Sequence, residues 1–294
     1  MSSLSLDRPK EAARPRRDNL AWRRMEGKVL RVLVTAAALV TLGCFVGVVG
    51  YTVFRGVPYI NADMFRWKYT SDNMSVLPSL ISTVLITLVG LLVSAPIGIF
   101  GAVYLVEYAP RGSRLASFFR LTTETLSGIP SIVYGLFGML FFVFALGWDY
   151  SILSGSFTVA IMVLPTIIRT TEEALKAVPD SYREASFGLG AGKVRTIFRI
   201  VLPAAIPGIL SGIILSIGRI VGETAALKYT AGTVASMPGS LMDSGSTLAV
   251  LFHKLSGEGL HMENAYATAV ILLLTVLAIN ALSSWIAKKL RKGM

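Results

Sequence analysis

Cysteine is almost absent from this chain. The one residue, Cys44, stands in an apolar run, so no disulfide forms within the chain, and a lone thiol without histidine neighbours is no metal site. Histidine is nearly missing too; His253 and His261 share one stretch read as an outer loop and count as solvated surface residues. Charged residues are scarce, 15% of 294 against 53% hydrophobic, which excludes a disordered chain and fits a membrane protein. Acidic residues are the scarcer sign, 17 against 28 basic. The net charge of +11 does not point to nucleic acid, because the charges cluster in tails and in loops between apolar runs. A phosphate-cradling glycine loop is lacking as well. GLGAGK at 188–193 comes near, but a P-loop needs Gly, four residues, then Gly-Lys-Ser/Thr; here Phe187 stands five before Gly192 and Val194 follows Lys193. The chain is therefore expected to bind no nucleotide, cofactor or metal itself and to perform no covalent chemistry.

Long hydrophobic runs are what it has. Residues 1–31 form a basic tail with Pro9 and Pro15 and nine Lys or Arg, expected to be largely disordered, with Arg23 to Arg31 read as the start of an interfacial helix. Six apolar segments follow near 32–54, 77–106, 116–146, 156–178, 201–226 and 265–287, each able to cross a hydrocarbon layer of about 30 Å. No small-residue cleavage site follows Phe45, so the first segment reads as a retained anchor. Pro96 in the second and Pro130 in the third are expected to kink or break their helices. The division that follows is a tail at 1–31, a first transmembrane helix and outer loop at 32–76, and a core domain at 77–294.

Lys and Arg number 21 on one side of these segments and five on the other, with Arg169 and Arg219 inside them. That asymmetry, and an even number of crossings, put both termini and the 180–203 loop in the cytoplasm. Residues 55–75, 147–155 and 227–264 face outward. Gly43-x3-Gly47 and Gly208-x3-Gly212 have the small-x3-small form of close helix packing, read here as packing within the chain.

The polar, basic 180–203 loop cannot lie in hydrocarbon. Asp180 is read as an N-cap, Gly188-x-Gly190-x-Gly192 as the breaker of the first helix, and Lys193 to Ile200 as a second helix ending at Pro203. Within the loop, Glu184-Ala185-Ser186 is followed after three residues by Gly190, and after nine more by Ile200-x-Leu202-Pro203. This order resembles the Glu-Ala-Ala ("EAA") loop of ABC-importer permeases, with Ser186 in place of the second Ala. The resemblance implies an all-α, six-helix type I importer permease of MetI-like fold. It also implies that Glu184, Ala185, Ser186, Gly190, Leu202 and Pro203 couple to a separate ATPase subunit, where ATP and Mg bind.

Ionisable groups inside a membrane segment are costly and are functional candidates. Arg169 lies ten residues before Pro179. Arg219 and Glu223, four apart, are placed on one helix face. Two readings of the residues stand open. In one, Arg219 and Glu223 form a buried ion pair and Arg169 pairs with Glu172 or Glu173. In the other, the arginines make a transient oxyanion site, because guanidinium offers forked donors to two oxygens. Three further stretches look like the phosphate-specific, PstA-type branch of these permeases: Arg169-Thr170-Thr171-Glu172-Glu173-Ala174-Leu175, Ser127-Gly128-Ile129-Pro130-Ser131, and Gly218-Arg219-x-x-Gly222-Glu223-Thr224-Ala225. Ala226 departs from that branch, where many members have Pro. The likeness covers roughly residues 75–290 and implies Arg169, Arg219 and Glu223 as translocation residues. The partners it implies are a PstC-type permease, a PstB-type ATPase dimer and a PstS-type phosphate-binding protein, the whole in the bacterial inner membrane. The alternatives are a permease for molybdate, sulfate or phosphonate, an ATPase-independent anion carrier or channel, and a membrane scaffold.

Overall fold

The computed structural model describes residues 18–292 except Ser71, Asp72, Arg111 and Leu260. The tail residues to Arg17, and with them the disorder expected there, lie outside the described residues, as does Arg111. Every regular element described is helical. The chain divides at Tyr51/Thr52 into two units. The first holds most of α1 (Asp18–Gly56), whose side chains from Lys28 to Val48 are exposed, including Cys44. An apolar helix with no polar face suits lipid on all sides.

The second unit is built around α2 (Leu77–Val103) and α5 (Ile152–Lys176), which pack along most of their length. Ile86, Val159, Met162, Val163 and Ile167 form the centre of the core, joined by Ile220 and Leu227. Buried hydroxyls would be costly here, yet Thr83, Thr87, Ser156 and Thr158 each donate to the carbonyl four residues back, at 2.7–2.8 Å. Gly208 and Gly212 of α8 (Leu202–Val221) lie so close to Ala174 and Thr170 of α5 that any Cβ would collide. That pair does pack within the chain, whereas Gly43 and Gly47 have open space around them.

Among the described residues, five helices are long and apolar enough to cross a membrane; a sixth crossing needs the bent pair α3 (Arg114–Ser127) and α4 (Ser131–Gly138, continued as a π-turn to Ala145). The two limbs meet at 103°. The expected break at Pro130 is there: Pro130 is the N-cap of α4 and follows the Gly128 cap of α3. Neither limb alone is long enough for about 30 Å of hydrocarbon. Contacts show that together they traverse. Glu107, beyond the end of α2, bonds Arg183, just past the end of α5. At the other end, Thr83 of α2 accepts from Leu248 N–H, while Ile152 N–H at the start of α5 donates to Asp243 in the same loop. So α2 and α5 run parallel, and the chain between them must pass from one end of the unit to the other.

Several expectations are corrected. Of the kink or break expected at Pro96, the break is absent: α2 runs through it and continues as a π-turn, Tyr104–Tyr108, in which Ala109 N–H reaches back five residues to the Tyr104 carbonyl. The helix begun by α7 (Lys193–Thr196) does not stop at Pro203. It passes through a π-turn, Ile197–Val201, straight into α8, with Leu202 N–H bonded to the Ile197 carbonyl. The extra residue absorbs the bond that Pro203 cannot make and relieves its ring. Asp180 is the first residue of α6 (Asp180–Gly188), not its cap; Pro179 holds that place and Asp180 pairs with Arg183 at 3.2 Å. The 227–264 stretch is no plain loop. It holds the end of α9 (Ala225–Lys228) and all of α10 (Leu248–Glu258), so His253 is helical. α11 (Met262–Lys292) completes the chain.

Candidate functional site

Between α3, α5, α8 and the π-turn after α2 lies a cleft of about 500 Å³. Its wall is the face of α5 that carries Thr166, Arg169, Thr170, Glu173 and Glu172, spaced three and four apart, as one side of a helix requires. α3 closes the opposite side with Arg120 and Glu124, and Leu215 of α8 adds an apolar edge. Three cations and three carboxylates line this space, so its formal charge balances.

The cations are not equally held. Glu172, 10% exposed at its side chain, accepts from Arg120 Nε and from Lys176 Nζ, both at 2.7 Å. A carboxylate with two charge-assisted bonds in a half-dry site fixes both partners. Arg169 bonds Glu173 at 3.1 Å with side chains 71% and 64% exposed. Such an exposed pair is worth about 0–1 kcal/mol. Arg169 is thus the cation most easily released to an arriving anion. Of the two partners the sequence allowed for it, Glu173 is the one it takes.

Arg219 is half-buried and reaches the cleft's edge through Thr166 Oγ1, 3.4 Å from its Nη1. The structure therefore brings Arg169 and Arg219 to one region. It does not bring Glu223 along. α8 ends at Val221 with Gly222 as its cap, so Glu223 falls past the helix and the shared-face expectation is wrong. Its carboxylate, in a residue 8% exposed, accepts the Ala226 N–H at 3.0 Å and holds the start of α9. Among the described residues no ion pair joins Arg219 to Glu223. The departure at Ala226 gains a physical meaning, since proline there could not donate that bond.

At the far end of α5 the 180–203 loop folds as helix-turn-helix. α6 stops at Gly188; Gly190, at φ +80°, makes the turn, and Gly192 caps α7. Glu184 and Ala185 are exposed, Ser186 is buried, and Leu202 and Pro203 are half-buried. Ser186 Oγ lies 2.8 Å from Thr196 Oγ1, tying the two helices together. Leu189 stands 89% exposed at the tip, with Phe187 and Val194 beside it. Exposed apolar side chains on an otherwise charged loop mark a contact surface. Sequence reasoning missed Arg120, Glu172 as a double acceptor, and the Arg183–Glu107 pair. Arg120, although counted with the charges outside the segments, and Glu124 both stand within 116–146, the third predicted membrane segment, which was a usable signal.

The family model of binding-protein-dependent transport system inner membrane components matches residues 94–294. The chain is similar to the phosphate transport system permease protein PstA of Mycobacterium leprae, 33% identical over 95% of this chain and 94% of that one. The PstA of Yersinia pestis is 34% identical over 93% and 94%. In fold it resembles a chain of the MetNI methionine ABC transporter in an inward-facing conformation, with a TM-score of 0.58, 20% identity, and coverage of 73% of this chain and 94% of that one. The match over 94–294 and the relatives of 33% and 34% identity agree, and the chain belongs to the family of binding-protein-dependent transport system inner membrane components, the multi-pass permeases of ABC importers.

Proposed function

We propose that this chain is a permease subunit of an ATP-driven importer of inorganic phosphate. It lines the pathway with a second, PstC-type permease, receives phosphate from a PstS-type binding protein outside, and meets a PstB-type ATPase dimer through the 180–203 loop. The observation that carries the reading is likeness to phosphate permeases across more than nine-tenths of the chain. The site supports it: a loosely held Arg169 and a half-buried Arg219 flank one cleft, and guanidinium forks suit tetrahedral oxyanions. The balanced charge of the cleft favours transit over retention, because an anion at Arg169 competes there with Glu173.

In this reading the 180–203 loop and both termini face the cytoplasm, as the excess of Lys and Arg on that side of the apolar segments requires. ATP and its Mg stay on the partner ATPase, which closes, moves the loop, and turns the pathway outward; hydrolysis returns it inward. The test is uptake by the four-component complex in proteoliposomes. Phosphate uptake that requires ATP and resists competing sulfate and molybdate is expected. Arg219→Gln is expected to abolish it with the complex still assembled. Uptake by this chain without an ATPase, or normal uptake by Arg219→Gln, would refute the reading.

A further inference from the structure

The sequence gives no hint that residues 104–108 matter beyond ending a helix. The geometry points to this π-turn as the junction through which movement of the docking loop reaches the cleft, with Arg183 as its positioning residue. The inference rests on the reading of the loop as the ATPase contact.

Arg183 sits on α6 with a side chain only 15% exposed. Its Nε and Nη2 donate to Glu107 Oε1 at 3.1 and 2.7 Å, and Glu107 is 9% exposed. Nη2 also donates to the Leu175 carbonyl at 3.0 Å, and Nη1 to the Val178 carbonyl at 2.8 Å and to Asp180 Oδ1 at 3.2 Å, in the last turn of α5, the residues beyond it and the first turn of α6. One planar fork thus binds the loop, the end of α5 and the turn after α2. No lysine could do this, since the bonds point in fixed directions.

The second limb of the loop grips the same turn. Lys193, first residue of α7, places its Nζ 4.8 Å from the centre of the Tyr108 ring. Two residues before Glu107, the Leu105 carbonyl accepts from Arg120 Nη2 at 3.3 Å. The Nε of the same Arg120 holds Glu172 on the cleft wall at 2.7 Å. Loop and cleft are therefore joined by an unbroken series of directed bonds: Arg183 to Glu107, along one turn to Leu105, then Arg120 to Glu172.

The turn supplies the element that can take two forms. A π-turn carries one residue more than the α-helix around it, and its register can shift by one. A shift rotates Leu105 relative to Glu107, so a pull on Arg183 would change how Arg120 meets Glu172. A coupling route needs such a two-state element, and no other part of this series offers one.

The experiment uses the assembled importer with Cys44→Ser and a reporter cysteine, Thr123→Cys, on the cleft wall. Maleimide labelling is compared with and without ATP. In the parent the rate is expected to differ by about fivefold or more, a typical size for coupling between sites. In Glu107→Ala that difference is expected to vanish while the ATPase still co-purifies and hydrolyses ATP. Glu107→Gln, which keeps an acceptor, should restore part of it. An ATP-dependent difference that survives in Glu107→Ala would overturn the proposal. So would a parent that shows none, or loss of the ATPase from Glu107→Ala, which would make the pair a mere assembly contact. Phosphate uptake is measured alongside. A parent with the labelling response but no phosphate uptake would sink the substrate assignment and leave the junction standing.

Discussion

Glu223 holds a backbone amide, and a charge is not needed for that. Its Oε1 accepts from Ala226 N–H, and the amide of glutamine offers the same oxygen. Glu223→Gln is therefore expected to leave the thermal midpoint of the purified protein unchanged, while Glu223→Ala costs about 1 kcal/mol, the usual worth of such a bond at a helix start. If the charge also serves transport, Glu223→Gln should shift the preference between phosphate and sulfate, because phosphate at neutral pH carries a proton that a carboxylate can accept and sulfate does not. A competition profile equal to the parent's would reduce Glu223 to a cap. Ser186 poses a smaller question of the same kind. Thr196 already donates to the Gly192 carbonyl, so Ser186 is the donor between the two hydroxyls. Ser186→Ala removes about 0.5–1.5 kcal/mol. Faster amide hydrogen exchange across residues 180–200 is expected, with the amount of protein in the membrane unchanged; equal exchange would show that the bond adds no stiffness.

At the scale of elements, close approach decides where a change is tolerated. A Cβ on Gly135 of α4 would lie 2.8 Å from the Cα of Ala226 and 3.2 Å from the Ala225 carbonyl, and backbone cannot swing aside. Gly135→Ala should therefore push α4 from α9 at a cost of about 1–3 kcal/mol. Gly101→Ala in α2, with nothing near it, is the control. Thermal unfolding in detergent would compare the two; equal midpoints would mean that α4 and α9 are not packed as described. The same scale shows what the sequence could and could not reveal. The apolar runs, the glycine turn at 188–192 and the break at Pro130 were readable, since each rests on local chemistry. Pro96 and Pro203 looked alike in sequence to Pro130 but end nothing. Neighbouring helices and a π-turn accommodate them, and neither leaves a mark on hydrophobic spacing. Arg219 and Glu223, four apart, looked like one face until the helix stopped two residues before the glutamate. Pairs distant in sequence, such as Glu107 with Arg183 and Arg120 with Glu172, became visible only once α2, α3 and α5 were assembled.

For the whole molecule the decisive quantity is the number of crossings, and it hangs on the bent pair. Taken by length and composition, α3 with α4 is either a broken crossing or a loop that enters and leaves on one side. The packing of α2 beside α5 answers this. Both helices start near the 241–248 segment and both end near Arg183, so residues 109–151 have to change ends. Membrane-impermeant maleimide on intact spheroplasts gives the check, in chains carrying Cys44→Ser and one new cysteine. We expect Tyr150→Cys and Ser236→Cys to react from outside. Leu189→Cys and Arg114→Cys should react only after the membrane is opened, if the proposed orientation holds and the end rich in Lys and Arg faces the cytoplasm. Reaction of positions 114 and 150 from the same side would make the bent pair re-entrant. α2 and α5 could then not both run from the outer to the inner face, and the Glu107–Arg183 bond could not exist in the membrane-embedded protein.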